Sequence, residues 1–130
     1  MARILLIDDD EPVRRTLKAV LEQGGHSVAV AGEGRSGLIC FRQNTFELVI
    51  TDILMPESEG IETISALSRA KPGIPIIAIT GGAPIESIPG GRTLDYLAIA
   101  RELGARATLR KPFTRRELLD VVESCLEPAC

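Results

Sequence analysis

Four acids stand in a row, Asp8, Asp9, Asp10 and Glu11, directly after the aliphatic run from Ile4 to Ile7. Carboxylates so close together repel one another and resist burial, so a chain that delivers them side by side needs something to hold them. Three more polar groups stand at the ends of apolar runs: Asp52 ends "ELVITD", Thr80 ends "IPIIAIT", and Lys111 follows "ATLR". Carboxylates gathered at one place make the oxygen-rich, charge-dense setting that Mg²⁺ prefers, because that ion binds through a few carboxylates while keeping waters and accepting phosphate oxygens. The plainer role for residues 8 to 11 is to cap the helix that follows, whose dipole favours negative charge at its start.

Whether these groups meet depends on the elements that carry them. Strand-like runs fall at residues 3–8, 26–31, 47–52, 74–80 and 107–110, and most are near-continuous aliphatic, as expected of parallel strands covered on both faces. Between them come helical stripes. Val13, Leu17, Val20 and Leu21 follow Pro12, a residue suited to a first helical turn, and the helix stops at "GGH". Leu38 and Phe41 mark a second helix ending near Asn44, and Ile61, Ile64 and Leu67 a third closed by "KPG". Thr114 and Glu117 have capping-box spacing for the last, with Leu118, Val122, Cys125 and Leu126 as its inward stripe.

Five βα units predict an α/β fold: a doubly wound five-stranded parallel sheet with helices on both faces. In such folds sites form at the carboxyl ends of strands, beside a switch in strand order. Asp8, Asp9, Asp52, Thr80 and Lys111 all fall at that edge, which favours the metal-binding role over capping alone.

Bulk properties set the frame. At 130 residues and 14.0 kDa the chain fits one domain, residues 1–130, able to bury roughly two thirds of its unfolded surface. A net charge of −3 gives no electrostatic footprint for nucleic acid or an anionic membrane. Cys40, Cys125 and Cys130 are odd in number and lack zinc or redox spacing, so a reducing cytoplasm is expected. No signal-peptide pattern opens the chain, and no apolar run approaches the ~18 residues of a membrane span. The sole histidine, His26, is expected at the start of the second strand and not as a catalyst.

"LLIDDDEPVRR", "LVITDILMP", "IIAITGG" and "LRKPF" together resemble the CheY-like receiver domain of two-component response regulators, from residue 3 to about 127. The resemblance implies a flavodoxin-like (βα)5 fold. It also implies that Asp52 is the phosphoacceptor, that Asp8 and Asp9 bind Mg²⁺ together with Asp52 and the Leu54 backbone carbonyl, that Thr80 contacts the phosphoryl group, and that Lys111 precedes a cis proline, Pro112. The expected function is a switch, phosphorylated by a sensor histidine kinase or histidine phosphotransfer protein, with self-catalysed phosphoryl transfer and dephosphorylation as its only chemistry. Its other expected partners are a downstream protein or output domain and, on phosphorylation, a second copy of itself.

Two alternatives belong to other classes. A pseudo-receiver would keep the fold as an interaction domain without phosphorylation, against which stands the retention of all five site residues. A Mg²⁺-dependent phosphatase of the haloacid dehalogenase type also uses an aspartyl nucleophile after a strand, but it wants an acid two residues on, where this chain has Leu54. The chain stops after its fifth helix, as expected either of a stand-alone receiver or of a piece of a larger regulator.

The sequence also departs from the family in two places. Thr108 stands where members with an aromatic switch carry Tyr or Phe, and the interval from Thr80 to Lys111 is long, with the excess in "GGAPIESIPGGR", residues 81–92. That loop and the helix after it, around Leu94 to Leu103, are expected to report phosphorylation, because four glycines make the loop easy to move.

Overall fold

The computed structural model describes residues 2–53, 59–80, 85–88 and 92–126. In chain order its elements are β1 (Arg3–Ile7), α1 (Glu11–Gln23), β2 (Ser27–Ala31), α2 (Gly34–Gln43), β3 (Leu48–Asp52), α3 (Glu59–Ala70), β4 (Ile76–Thr80), β5 (Ile85–Ile88), β6 (Arg92–Asp95), α4 (Tyr96–Leu103), β7 (Ala107–Arg110) and α5 (Arg115–Leu126). Five strands, all parallel, form one sheet in the order β2-β1-β3-β4-β7. This is the doubly wound, flavodoxin-like arrangement that the strand and helix alternation predicts.

The near-continuous apolar strands are explained by two cores. Successive side chains of a strand point to opposite faces. Leu5 and Ile7 of β1, Val49 of β3, and Ile76 and Ala78 of β4 pack on one face with Phe41, Ile64, Leu67 and Ala100 from α2, α3 and α4. Ile4, Leu6, Leu48, Ile50, Ile77 and Ile79 pack on the other with Leu17 and Leu21 of α1 and Leu118, Val122 and Cys125 of α5. A fully buried Leu or Ile contributes about 1.5–3 kcal/mol. The three central strands, buried along almost their whole length, therefore anchor the sheet, and β2 and β7 form its more exposed edges.

Local signals hold at the helix ends. Asp10 is the N-cap of α1, its carboxylate accepting a hydrogen bond from Val13 N at 3.3 Å, with Pro12 in the first turn. The capping box before α5 is complete: Glu117 N donates to Thr114 Oγ1 at 3.0 Å, and Thr114 N donates to Glu117 Oε1 at 3.1 Å. His26 immediately precedes β2 and accepts from Ala2 N through Nδ1 at 3.3 Å, which is a structural role. The Lys111–Pro112 peptide is cis.

One reading needs correction. Residues 81–92 are not simply an irregular loop, and the helix after them begins at Tyr96 rather than Leu94. β5 and β6 pair antiparallel, Ile85 opposite Asp95 and Ile88 opposite Arg92, as a separate two-stranded sheet. Two short runs separated by Pro89, Gly90 and Gly91 match the spacing of a hairpin with a three-residue, glycine-containing connection. Residues 81–84 and 89–91 lie outside the described residues.

Gly104 closes α4 with φ +130°, a backbone conformation that L side chains rarely adopt, and a Cβ there would also collide with the Ser68 hydroxyl on α3. Gly104→Ala is accordingly expected to lower stability by about 2–3 kcal/mol, combining backbone strain with displaced packing. Urea unfolding measures it. A loss below about 0.5 kcal/mol, the range of neutral surface changes, would contradict this account of the turn.

Candidate functional site

The strand order switches between β1 and β3: from β1 the chain moves out to β2, then returns to place β3 on the other side of β1. Helices on either side diverge there, leaving a crevice at the carboxyl ends of the strands. Asp52 is the last residue of β3 and Thr80 the last of β4, Asp8 directly follows β1, and Lys111 directly follows β7. Parallel pairing in register brings all four to one edge.

Asp8, Asp9 and Asp52 each present a carboxylate oxygen, and the three oxygens lie within 4.8 Å of one another. Asp8 and Asp52 are buried, 1% and 6% exposed, while Asp9 is exposed. Lys111 reaches in from the last strand, its Nζ 3.0 Å from Asp52 Oδ2 and 3.4 Å from Asp8 Oδ2. The acidic run thus divides its work: Asp10 caps α1, and Asp8 and Asp9 face the crevice.

The backbone around Asp8 is held at several points. Its N–H donates to the Ala31 carbonyl at 3.1 Å, its Oδ1 accepts from Asp10 N at 2.9 Å, and its carbonyl accepts from Arg14 Nη1 at 2.7 Å. Lys111 N donates to the Thr80 carbonyl at 2.8 Å, which ties the lysine's backbone to the end of β4. Arg14 is a site neighbour the sequence reading missed. Its place one helical turn beyond the Asp10 cap was the available signal, since that spacing turns it back over the strand end.

Burial raises the Asp8 carboxyl above the ordinary range, more than the Asp10 N–H and the Lys111 charge lower it, and the Asp52 charge adds to the rise. For Lys111, burial works to depress the ammonium, but the hydrogen bond and charge of Asp52, followed by Asp8, outweigh it and the net shift is upward. The two results agree physically: the Lys111 ammonium sits against both Asp8 and Asp52. Lys111 remains cationic at neutral pH.

A pH prediction follows. An acid whose folded value is raised binds its proton more tightly when folded, so ionised Asp8 costs stability at neutral pH, and that cost fades as pH falls through the raised range. Lys111 acts oppositely: its contribution is complete below its unfolded value and is lost in alkali as pH rises through the raised folded value. Without metal, Asp8→Asn should be more stable than the parent at pH 7, by about 1 kcal/mol, because Lys111 keeps its nearer partner Asp52. The gap should shrink toward pH 4. A gap that widens on acidification would refute the sign.

The Thr80 hydroxyl is fully buried and has no hydrogen-bond partner among the described residues. A buried unsatisfied hydroxyl is costly, and such groups recur where a ligand completes the bonding. Leu54 lies outside the described residues. Thr108 pairs in register with Ala78 of β4, and its hydroxyl accepts from Arg101 Nη2 of α4 at 3.4 Å.

A crevice of acids at the switch point, flanked by a strand-end threonine and a strand-end lysine, defines a receiver-type module. The chain belongs to the response regulator receiver domain family, whose model matches residues 4–123. It is 35% identical over 131 residues to the response regulator receiver protein CpdR of Brucella abortus, covering 97% of this chain and 98% of that protein. It is also 35% identical over 126 residues to the transcriptional regulatory protein CpxR of Escherichia coli, but there it spans 50% of the relative's length. Among solved structures, a receiver domain protein from Clostridium thermocellum superposes with a TM-score of 0.84 at 30% identity, over 97% of this chain and 94% of that one. A CheY-like receiver from Methanospirillum hungatei matches equally, with a TM-score of 0.84 at 30% identity over 97% and 94% of the two chains. The chain is therefore a receiver domain of a response regulator, a signalling domain and not a conventional enzyme. No helix among the described residues is long and apolar enough to cross a membrane.

Proposed function

We propose that the chain is a single receiver domain, residues 1–130, that accepts a phosphoryl group on Asp52 from a sensor histidine kinase or histidine phosphotransfer protein in the cytoplasm, and passes the signal to a downstream protein or output domain. The observation that carries the reading is the convergence of three carboxylates on one point with the Lys111 ammonium against two of them. An all-oxygen, acidic donor set open to solvent on the Asp9 side suits Mg²⁺, which takes one or two carboxylates and keeps waters. Asp8, Asp9 and Asp52 would hold it, with the Leu54 carbonyl as a further ligand carried over from the family resemblance. Bound there, the ion would supply positive charge against the oxygens of an incoming phosphoryl group.

The protein's own groups divide the rest. An Asp52 carboxylate oxygen attacks phosphorus, the bond from phosphorus to the donor's nitrogen or oxygen breaks, and its electron pair leaves with the donor. The Lys111 ammonium, kept protonated by its acids, neutralises charge on the transferred group. The Thr80 hydroxyl donates its unused hydrogen bond to a phosphoryl oxygen, and its movement toward that oxygen gives the domain a second state.

Intact mass after incubation with acetyl phosphate, with Mg²⁺ and then with a chelator, is the test. One labile phosphoryl adduct that requires Mg²⁺ is expected. No adduct with Mg²⁺ present would make the domain a pseudo-receiver, and continuous hydrolysis of varied phosphomonoesters would make it a phosphatase.

A further inference from the structure

Of the three acids at the crevice, Asp9 is held least. Its carboxylate makes no hydrogen bond or ion pair among the described residues, whereas Asp8 is bonded to Asp10 N and Lys111, and Asp52 to Lys111. What directs Asp9 is the peptide joining it to Asp8, and the carbonyl of that peptide accepts the 2.7 Å hydrogen bond from Arg14 Nη1. Arg14 is itself fixed. Its backbone N–H donates to the Asp10 carbonyl at 2.9 Å, and its guanidinium lies against Gly32 in the turn after β2, so close that a Cβ there would sit 3.3 Å from Nη1.

We propose that Arg14 is a positioning residue for the metal site: by clamping the Asp8 carbonyl it sets the Asp8–Asp9 peptide plane and so aims the Asp9 carboxylate into the crevice. The physical reason is a general one. A ligand with no anchor of its own must be ordered when the ion binds, and groups that pre-orient ligands are worth about 10–100-fold in metal affinity. Asp8 does not need this help, because its carboxylate has two bonds of its own. The effect of Arg14 therefore passes through Asp9. This inference rests on the proposed reading of the three acids as a Mg²⁺ site.

A Mg²⁺ titration followed by amide NMR shifts, on five proteins, tests it. Arg14→Gln should weaken Mg²⁺ binding by about tenfold. Arg15→Gln, which removes the same charge one residue on from a guanidinium paired 2.6 Å from Glu11 on the exposed helix surface, should change affinity by no more than about twofold. In an Asp9→Ala background, Arg14→Gln should add almost nothing, since the group it aims is gone. A merely structural Arg14 would lower affinity equally with and without Asp9, and a purely electrostatic one would raise affinity when its positive charge is removed; either result would overturn the proposal. So would parental affinity in a folded Arg14→Gln protein, or an equal loss in Arg15→Gln. Absence of Mg²⁺ binding to the parent chain would overturn the metal-site reading and this inference together, and parental binding that Arg14→Gln leaves intact would overturn this inference alone.

Discussion

Asp52→Asn is expected to abolish the phosphoryl adduct completely while leaving the fold intact. The amide nearly matches the carboxylate in shape, so the end of β3 keeps its packing, but its oxygen is too weak a nucleophile to attack phosphorus. The electrostatic consequences oppose each other. The change removes the closer partner of Lys111, at 3.0 Å, and also removes a carboxylate that crowds Asp8. Breaking a buried pair usually destabilises, whereas relieving like charges stabilises, so the net change should stay within about 1 kcal/mol. Intact mass and peptide mapping after incubation with acetyl phosphate and Mg²⁺ decide the matter. Parental incorporation at the peptide containing residue 52 would remove that residue from the chemistry.

The second large effect concerns the acid at the open side of the crevice. Asp9→Ala should weaken Mg²⁺ by at least about tenfold, because it deletes one of three oxygen donors and one of the charges that attract the ion. Thermal melts make this visible as linkage. At Mg²⁺ 100 times its dissociation constant the parent gains about 2.7 kcal/mol, and a tenfold weaker variant at the same concentration gains only about 1.4 kcal/mol. Without metal the variant should be as stable as the parent or slightly more so, since the lost side chain is exposed and mutually repelled. Equal Mg²⁺-induced stabilisation in both proteins would exclude Asp9 from coordination.

Much of this site could be read before any coordinates. Asp8, Asp52, Thr80 and Lys111 each sit at the end of an aliphatic run, and in a doubly wound sheet the ends of parallel strands meet. The capping box at Thr114 and Glu117 was equally plain, because both of its hydrogen bonds close within one helical turn. β5 and β6 were harder to see. Their runs are short, carry charges, and stand among glycines, so the pattern that marks a central strand is missing. Arg14 was hard to single out for a different reason: its place one turn beyond the Asp10 cap is a signal, but in sequence it is one of two adjacent arginines on α1, and only the folded structure shows which guanidinium turns back over the Asp8 carbonyl and which pairs with Glu11 at the surface.

The sequence by itself determined the alternation of strands and helices, the two-faced burial of the central strands, the helix caps, and the identity of the groups at the strand ends, because all of these depend on side-chain chemistry and periodicity over a few neighbouring residues. Only the tertiary structure decided that three carboxylates share a space of 4.8 Å, that Lys111 favours Asp52 over Asp8, and that the Thr80 hydroxyl is buried without a partner among the described residues. Those facts turn on distances between groups as far apart in the chain as Asp8 and Lys111. Such distances are set by strand order and register, which emerge from the packing of the whole sheet and from no single segment of it.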